Sequence, residues 1–184
     1  MNAIASRGQL RASFLRWALL TVPAVMLLGF LSGRLGGSGP DNPWFEALVK
    51  PDIFPPPAAF GIVWSFLYLM LGFALALVCA AWGARGRTAA IVAFILQLAV
   101  NLSWSPVFFA AHQITGALVV IAVLDVLVII TIVLFWRVRK LAAFLLVPYL
   151  AWILFATLLN YEFLRANPDA DGQAAPPSFQ RIAI

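Results

Sequence analysis

Residues 97–109, QLAVNLSWSPVFF, bring together groups that can hold a flat amphipathic molecule. Gln97, Asn101, Trp104 and Phe108 are spaced by three or four and share one helical face. Their amides can donate to and accept from polar edges, and their rings can stack. The stretch lies in an apolar segment, where polar side chains normally face the protein interior or a cavity. The plainer alternative is a polar contact between helices with a packed aromatic beside it. Trp64 and Tyr68 offer a similar face in a second apolar segment. Tyr149, Trp152, Ala156, Leu159 and Asn160 offer one in a third. Three segments each presenting an indole point to a shared ligand-binding interior more strongly than any one does.

Other chemistry has little support. There is no Ser–His–Asp set, no metal-ligand cluster and no glycine-rich phosphate loop. His112 and Cys79 are the only residues of their kinds, so neither disulfide nor metal site can be built from them. No catalytic residue, metal or required cofactor is expected. Asp125 is the one acid near the centre of an apolar segment. A charge there costs at least about 2.5 kcal/mol. It is either a proton or ligand partner, or an acid that is held neutral or hydrogen-bonded to a neighbouring helix.

The positioning elements are membrane helices. The chain is 64% hydrophobic and 10% charged, far from the composition of soluble domains. Five continuous apolar segments, near residues 14–33, 60–82, 88–111, 116–136 and 141–164, are each long enough to cross a bilayer. The expected fold is an all-α membrane protein, a five-transmembrane-helix bundle over residues 14–166. A basic segment (1–13) precedes it and a disordered tail (167–184) follows. The first segment is read as a retained helix rather than a cleaved signal, and Pro148 is expected to kink the fifth. A long loop at 34–59 carries Trp44, Phe45, Leu48, Ile53 and Phe54, which can fold back onto the bundle. The other connections are short, so consecutive helices should be antiparallel neighbours. Ala89 and Ala93 suggest a close helix contact and a dimer face.

The net charge of +5 comes from residues at segment ends, which argues for membrane orientation and against nucleic-acid binding. Arg7, Arg11, Arg16, Arg85, Arg87, Arg137, Arg139 and Lys140 share one side. This predicts a cytoplasmic N-terminus, with the long loop and C-terminus opposite. Residues 159–165, LNYEFLR, fit the loose sterol-contact pattern through Tyr161 and Arg165.

The landmarks are Trp44-Phe45, Lys50-Pro51, Pro55-Pro56, WSFLY at 64–68, the N-x-x-W-x-P-x-F-F core from Asn101 to Phe109, and PYLAWILFATLLNY at 148–161. In this order the chain resembles the translocator protein family, also called the tryptophan-rich sensory protein or peripheral benzodiazepine receptor family. The resemblance covers about residues 34–165. It implies a five-helix bundle, usually a homodimer, whose pocket is closed by the first loop. It implies ligands among porphyrins and other tetrapyrroles, sterol-like lipids such as cholesterol, and benzodiazepine-like compounds. The pocket residues it carries over are Trp64, Asn101, Trp104, Trp152, Ala156 and Leu159, with Tyr161 and Arg165 as sterol contacts. Ala58, Ile53 and Gly116 stand where the family often has aromatics, and the family's early fourth-helix acid falls near Val119 or Val120. The pocket should therefore be less aromatic than usual.

The expected function is an integral membrane ligand-binding protein, a sensor or transporter for porphyrins, tetrapyrroles or sterol-like lipids. Lys50 or Arg34 could meet a ligand carboxylate at the loop end. The alternatives are a light-dependent porphyrin-degrading enzyme using Trp64, Trp104 or Trp152, and a dimeric scaffold that binds a partner.

Overall fold

The computed structural model describes residues 7–39 and 41–173. Five helices are long and apolar enough to cross a membrane. They are α1 (Arg7–Leu35), α3 (Pro57–Cys79), α4 (Arg87–Ser105), α5 (Ile114–Val138) and α6 (Lys140–Ala166), and a short α2 (Pro43–Ala47) sits in the first loop. Of the expected basic segment, residues 1–6 lie outside the described residues, as do residues 174–184 of the expected tail.

The five long helices form a closed ring. Helix α1 packs on α3, α3 on α6, α6 on α5 and α5 on α4, and α4 completes the circle with lighter contacts to α1 and α3. Short connections do make α5 a close neighbour of both α4 and α6. The expectation fails between α3 and α4, which are consecutive yet only lightly in contact. The reason lies in one glycine on each of α1 and α3. A Cβ on Gly72 would stand 2.5 Å from Val22 Cα, and one on Gly29 would stand 2.2 Å from Tyr68 Cε2. Glycine thus lets α1 press against one side of α3 while α6 takes another. The turn at residues 80–86 accommodates the separation with Gly83 (φ 74) and Gly86 (φ 80) in left-handed conformations. Arg87 then closes α3 by donating Nη2 to Cys79 O at 2.8 Å.

The third apolar segment is not one uniform helix. After Ser105 the chain widens into a π-turn, Pro106–Ala110. Pro106 has no N–H to offer Leu102 O one turn earlier. The hydroxyl of Ser32 on α1 donates to that carbonyl instead, so the break also ties α4 to α1. Pro148 lies within α6, which runs through it to Ala166.

Two apolar clusters fill the ring. The larger is built on Leu67, Leu71, Phe94, Leu124, Phe135, Leu146 and Tyr149. The smaller lies under the first loop, on Trp44, Leu48, Phe108, Ile114, Leu159 and Phe163. The outward faces carry exposed Leu, Ile, Val and Phe side chains, as a surface solvated by acyl chains requires.

Candidate functional site

The predicted helical face of α4 points inward. Gln97, Asn101 and Phe108 are buried and Trp104 is half-buried. Two tyrosines from neighbouring helices meet the amides. Tyr149 of α6 donates its hydroxyl to Gln97 Oε1 at 3.1 Å, and Tyr68 of α3 donates to Asn101 Oδ1 at 3.4 Å. Trp64 lies beside both phenols, with ring centroids 5.0 Å from Tyr68 and 6.3 Å from Tyr149. One turn nearer the loop, Trp104 donates Nε1 to Asn160 Oδ1 at 3.1 Å. Asn160 in turn donates Nδ2 to Ile114 O at 3.0 Å. This chain of bonds joins α4, α6 and the start of α5. Trp104 also stacks on Phe108, with centroids 5.0 Å apart and planes 20° apart.

Trp152 meets Phe60 and Phe155 at 5.9 and 5.4 Å. Ala156 packs against the larger cluster and Leu159 belongs to the smaller one. Of the six residues carried over from the resemblance, Trp64, Trp104, Trp152, Ala156 and Leu159 therefore pack in or against the two apolar clusters, and Asn101 is buried beside Tyr68. Tyr161 and Arg165 are not with them. Tyr161 is 46% exposed, and the Arg165 guanidinium lies 5.9 Å over its ring on the outside of the bundle.

The first loop forms a lid over this interior. Asn42 caps α2 by accepting Phe45 N at 3.0 Å and reaches Phe109 O through Nδ2 at 3.2 Å. Helix α2 turns Trp44 edge-on to Phe108 at 5.5 Å and Phe45 against Phe109 at 5.1 Å. Phe54 rests on Phe60 and Phe163 at 5.4 and 5.6 Å. Trp44 and Leu48 are buried by this closure, whereas Ile53, expected to fold back with them, is 41% exposed. Lys50 does not face the interior, because its ammonium donates to the lid's own carbonyls at Phe45, Glu46 and Leu48. Burial lowers its pKa and Glu46 pulls the other way. Arg34 is exposed.

The spacing of residues did not reveal what fastens the lid. Asn167, assigned to the tail, accepts Val49 N on Oδ1 at 2.7 Å and donates Nδ2 to Val49 O at 2.9 Å. The following residues turn back as well. Gly172 N donates to His112 O at 2.8 Å, and Asp171 Oδ1 accepts Thr115 N at 3.2 Å. His112 lies flat against Trp44, 4.6 Å between centroids and 14° between planes.

Four buried polar atoms have no partner among the described residues: Gln97 Nε2, Trp152 Nε1, Trp44 Nε1 and Asp125 Oδ1. The first three are donors within or just above the interior. Buried donors left without acceptors are costly, and a molecule bringing carbonyl or carboxylate oxygens would relieve them. Asp125 is separate. Its Oδ2 accepts Thr157 Oγ1 at 2.8 Å, which makes it a contact between α5 and α6. Ala89 is exposed but Ala93 is buried inside the bundle, so the two do not make one outward face.

The model of the TspO/MBR family matches residues 20–165. The chain belongs to that family. Among curated TspO/MBR relatives, it is 37% identical over 150 residues to the tryptophan-rich protein TspO of Chlorobaculum tepidum, covering 81% of this chain and 94% of that one. It is similar to the protein CrtK of Rhodobacter capsulatus, 34% over 138 residues, covering 74% and 86%. It is similar to the translocator protein of Homo sapiens, 37% over 142 residues, covering 76% and 84%. TspO/MBR membership and the five apolar helices make it a multi-pass integral membrane protein.

Proposed function

We propose that this protein binds a flat amphipathic ligand, a porphyrin or other tetrapyrrole or a sterol-like lipid, in the interior beneath its first-loop lid, and acts as a sensor or transporter. The observation that carries the reading is the convergence of Trp64, Asn101, Trp104 and Trp152 from three helices beside the unpartnered donors Gln97 Nε2 and Trp152 Nε1. Indole faces suit a planar ring, each stacked pair contributing about 0.5–1.5 kcal/mol beyond area burial. The free donors suit a ligand whose edge carries oxygens. Family relatives named as sensory, translocator and tryptophan-rich proteins support a ligand-handling membrane role. Tyr161 and Arg165 remain the proposed sterol contacts, reached from the lipid side.

The same reading includes a homodimer in the bilayer and a cytoplasmic N-terminus opposite the lid, the latter from the distribution of arginine and lysine. Protoporphyrin titration followed by tryptophan quenching tests the ligand. Saturable quenching is expected, weakened at least tenfold in Trp152→Ala and Trp104→Ala. Linear, non-saturating quenching, or equal affinity in both variants, refutes the interior site.

A further inference from the structure

We propose a second site, for the phosphate headgroup of an anionic phospholipid, at the end of the bundle away from the lid. Two adjoining open hollows lie there. One, of about 540 Å³, is lined by Leu10, Ser13, Arg16, Trp82 and Arg139 among others. The second, of about 320 Å³, shares Ser13, Arg16 and Trp82 and continues along α1 to Trp17 and Leu20. Three parts of the fold meet at them: the first turns of α1, the α3–α4 turn, and the joint between α5 and α6.

The order of side chains matches a lipid seated at its natural depth. Two guanidiniums and a hydroxyl surround the outer hollow, a geometry suited to phosphate oxygens. Deeper toward the membrane centre, Trp17 and Leu20 offer an apolar track for an acyl chain. Trp82 sits between the two regions. Its ring lies 6.4 Å from Trp17, and the Arg87 guanidinium is 4.3 Å above it. Arg87 is itself engaged with the α3 carbonyls, so Trp82 is held in place without consuming Arg16 or Arg139. Indoles at this boundary fit the interfacial zone of a bilayer.

Charge decides the class of occupant. Every acid of the chain lies elsewhere: Asp41, Glu46, Asp52, Glu162, Asp169 and Asp171 toward the lid end, and Asp125 in mid-helix. Among the described residues, Arg16 and Arg139 therefore have no Asp or Glu at their end to neutralise them. A zwitterionic headgroup would bring its own cation against them, whereas an anionic one would not.

The test uses the full chain in detergent, with native mass spectrometry to count retained lipids. Phosphatidylglycerol and phosphatidylcholine of equal chain length are the probes. Phosphatidylglycerol should be retained preferentially. Arg16→Gln and Arg139→Gln should each weaken it about fivefold and the pair about 25-fold, which is about 1 kcal/mol per charge near a membrane surface. Arg85→Gln and Arg137→Gln, basic positions outside the hollows, should retain it as the parent does. Arg139→Lys should hold most of the affinity, and near-parental melting of these exposed variants separates binding from folding. Inorganic phosphate in excess should not displace the lipid. Equal retention of both lipids, equal losses in the Arg85 and Arg137 variants, or displacement by phosphate alone would each overturn the proposal.

Discussion

Removing the Asn167 side chain should open the lid without unfolding the bundle. Asn167→Ala deletes two hydrogen bonds to the Val49 backbone, at 2.7 and 2.9 Å. A third bond, Nδ2 to Phe163 O, stays within the end of α6 and does not depend on whether the lid is closed. Each intramolecular bond has a net worth of about 0.5–1.5 kcal/mol. Losing two therefore shifts the closed-to-open balance by about 1–3 kcal/mol, or about 5- to 140-fold. Val49 is itself exposed, so water takes over its backbone and the lower half of that range is expected. Asn167→Asp keeps the acceptor for Val49 N but loses the donor, and should fall between parent and alanine. Hydrogen exchange over residues 42–54, in detergent or nanodiscs, reads the effect directly. The lid should exchange at least fivefold faster while α3 and α6 are unchanged. Exchange within twofold of the parent in Asn167→Ala would show that the aromatic contacts alone hold the lid. Asn167 would then not be what keeps the lid closed.

Two further outcomes follow from the packing and the charges. Gly72→Ala should destabilise the protein by about 1–3 kcal/mol, because the new Cβ would meet the backbone of Val22, and a melt unchanged from the parent would refute the close approach of α1 and α3. The lowered pKa of Lys50 means that the unfolded chain holds this proton to higher pH than the closed lid does. Lid stability should therefore rise as the pH climbs through the folded pKa to the ordinary lysine value of 10.5. Hydrogen-exchange protection corrected for intrinsic rates should show this rise, and Lys50→Met should flatten it.

The parts of this molecule that were legible in the sequence are those set by short-range periodicity. Five apolar stretches announced five spans because a bilayer demands a fixed length of helix. The spacing of Gln97, Asn101, Trp104 and Phe108 placed them on one face, and that face is the inward one. What stayed hidden depended on distant partners. Asn167 and Val49 are 118 residues apart, and an asparagine before a proline reads locally as the end of a helix. The π-turn left only a trace, since Pro106 announces a lost bond but not that Ser32 would take up the freed carbonyl. A short connection between α3 and α4 says nothing of Gly29 and Gly72, whose missing side chains let α1 pack close against α3. The charge of Lys50 at the loop end suggests that it could meet a ligand carboxylate, but the nearer carbonyls of its own loop take its ammonium.

The outward position of Tyr161 and Arg165 separates two routes of approach. On the proposed reading, a lipid held there would arrive by lateral diffusion, and its occupancy would track its mole fraction in the leaflet rather than any aqueous concentration. It need not pass Trp44 or loosen Asn167. On the proposed reading, such a molecule and one under the lid would not compete for the same space.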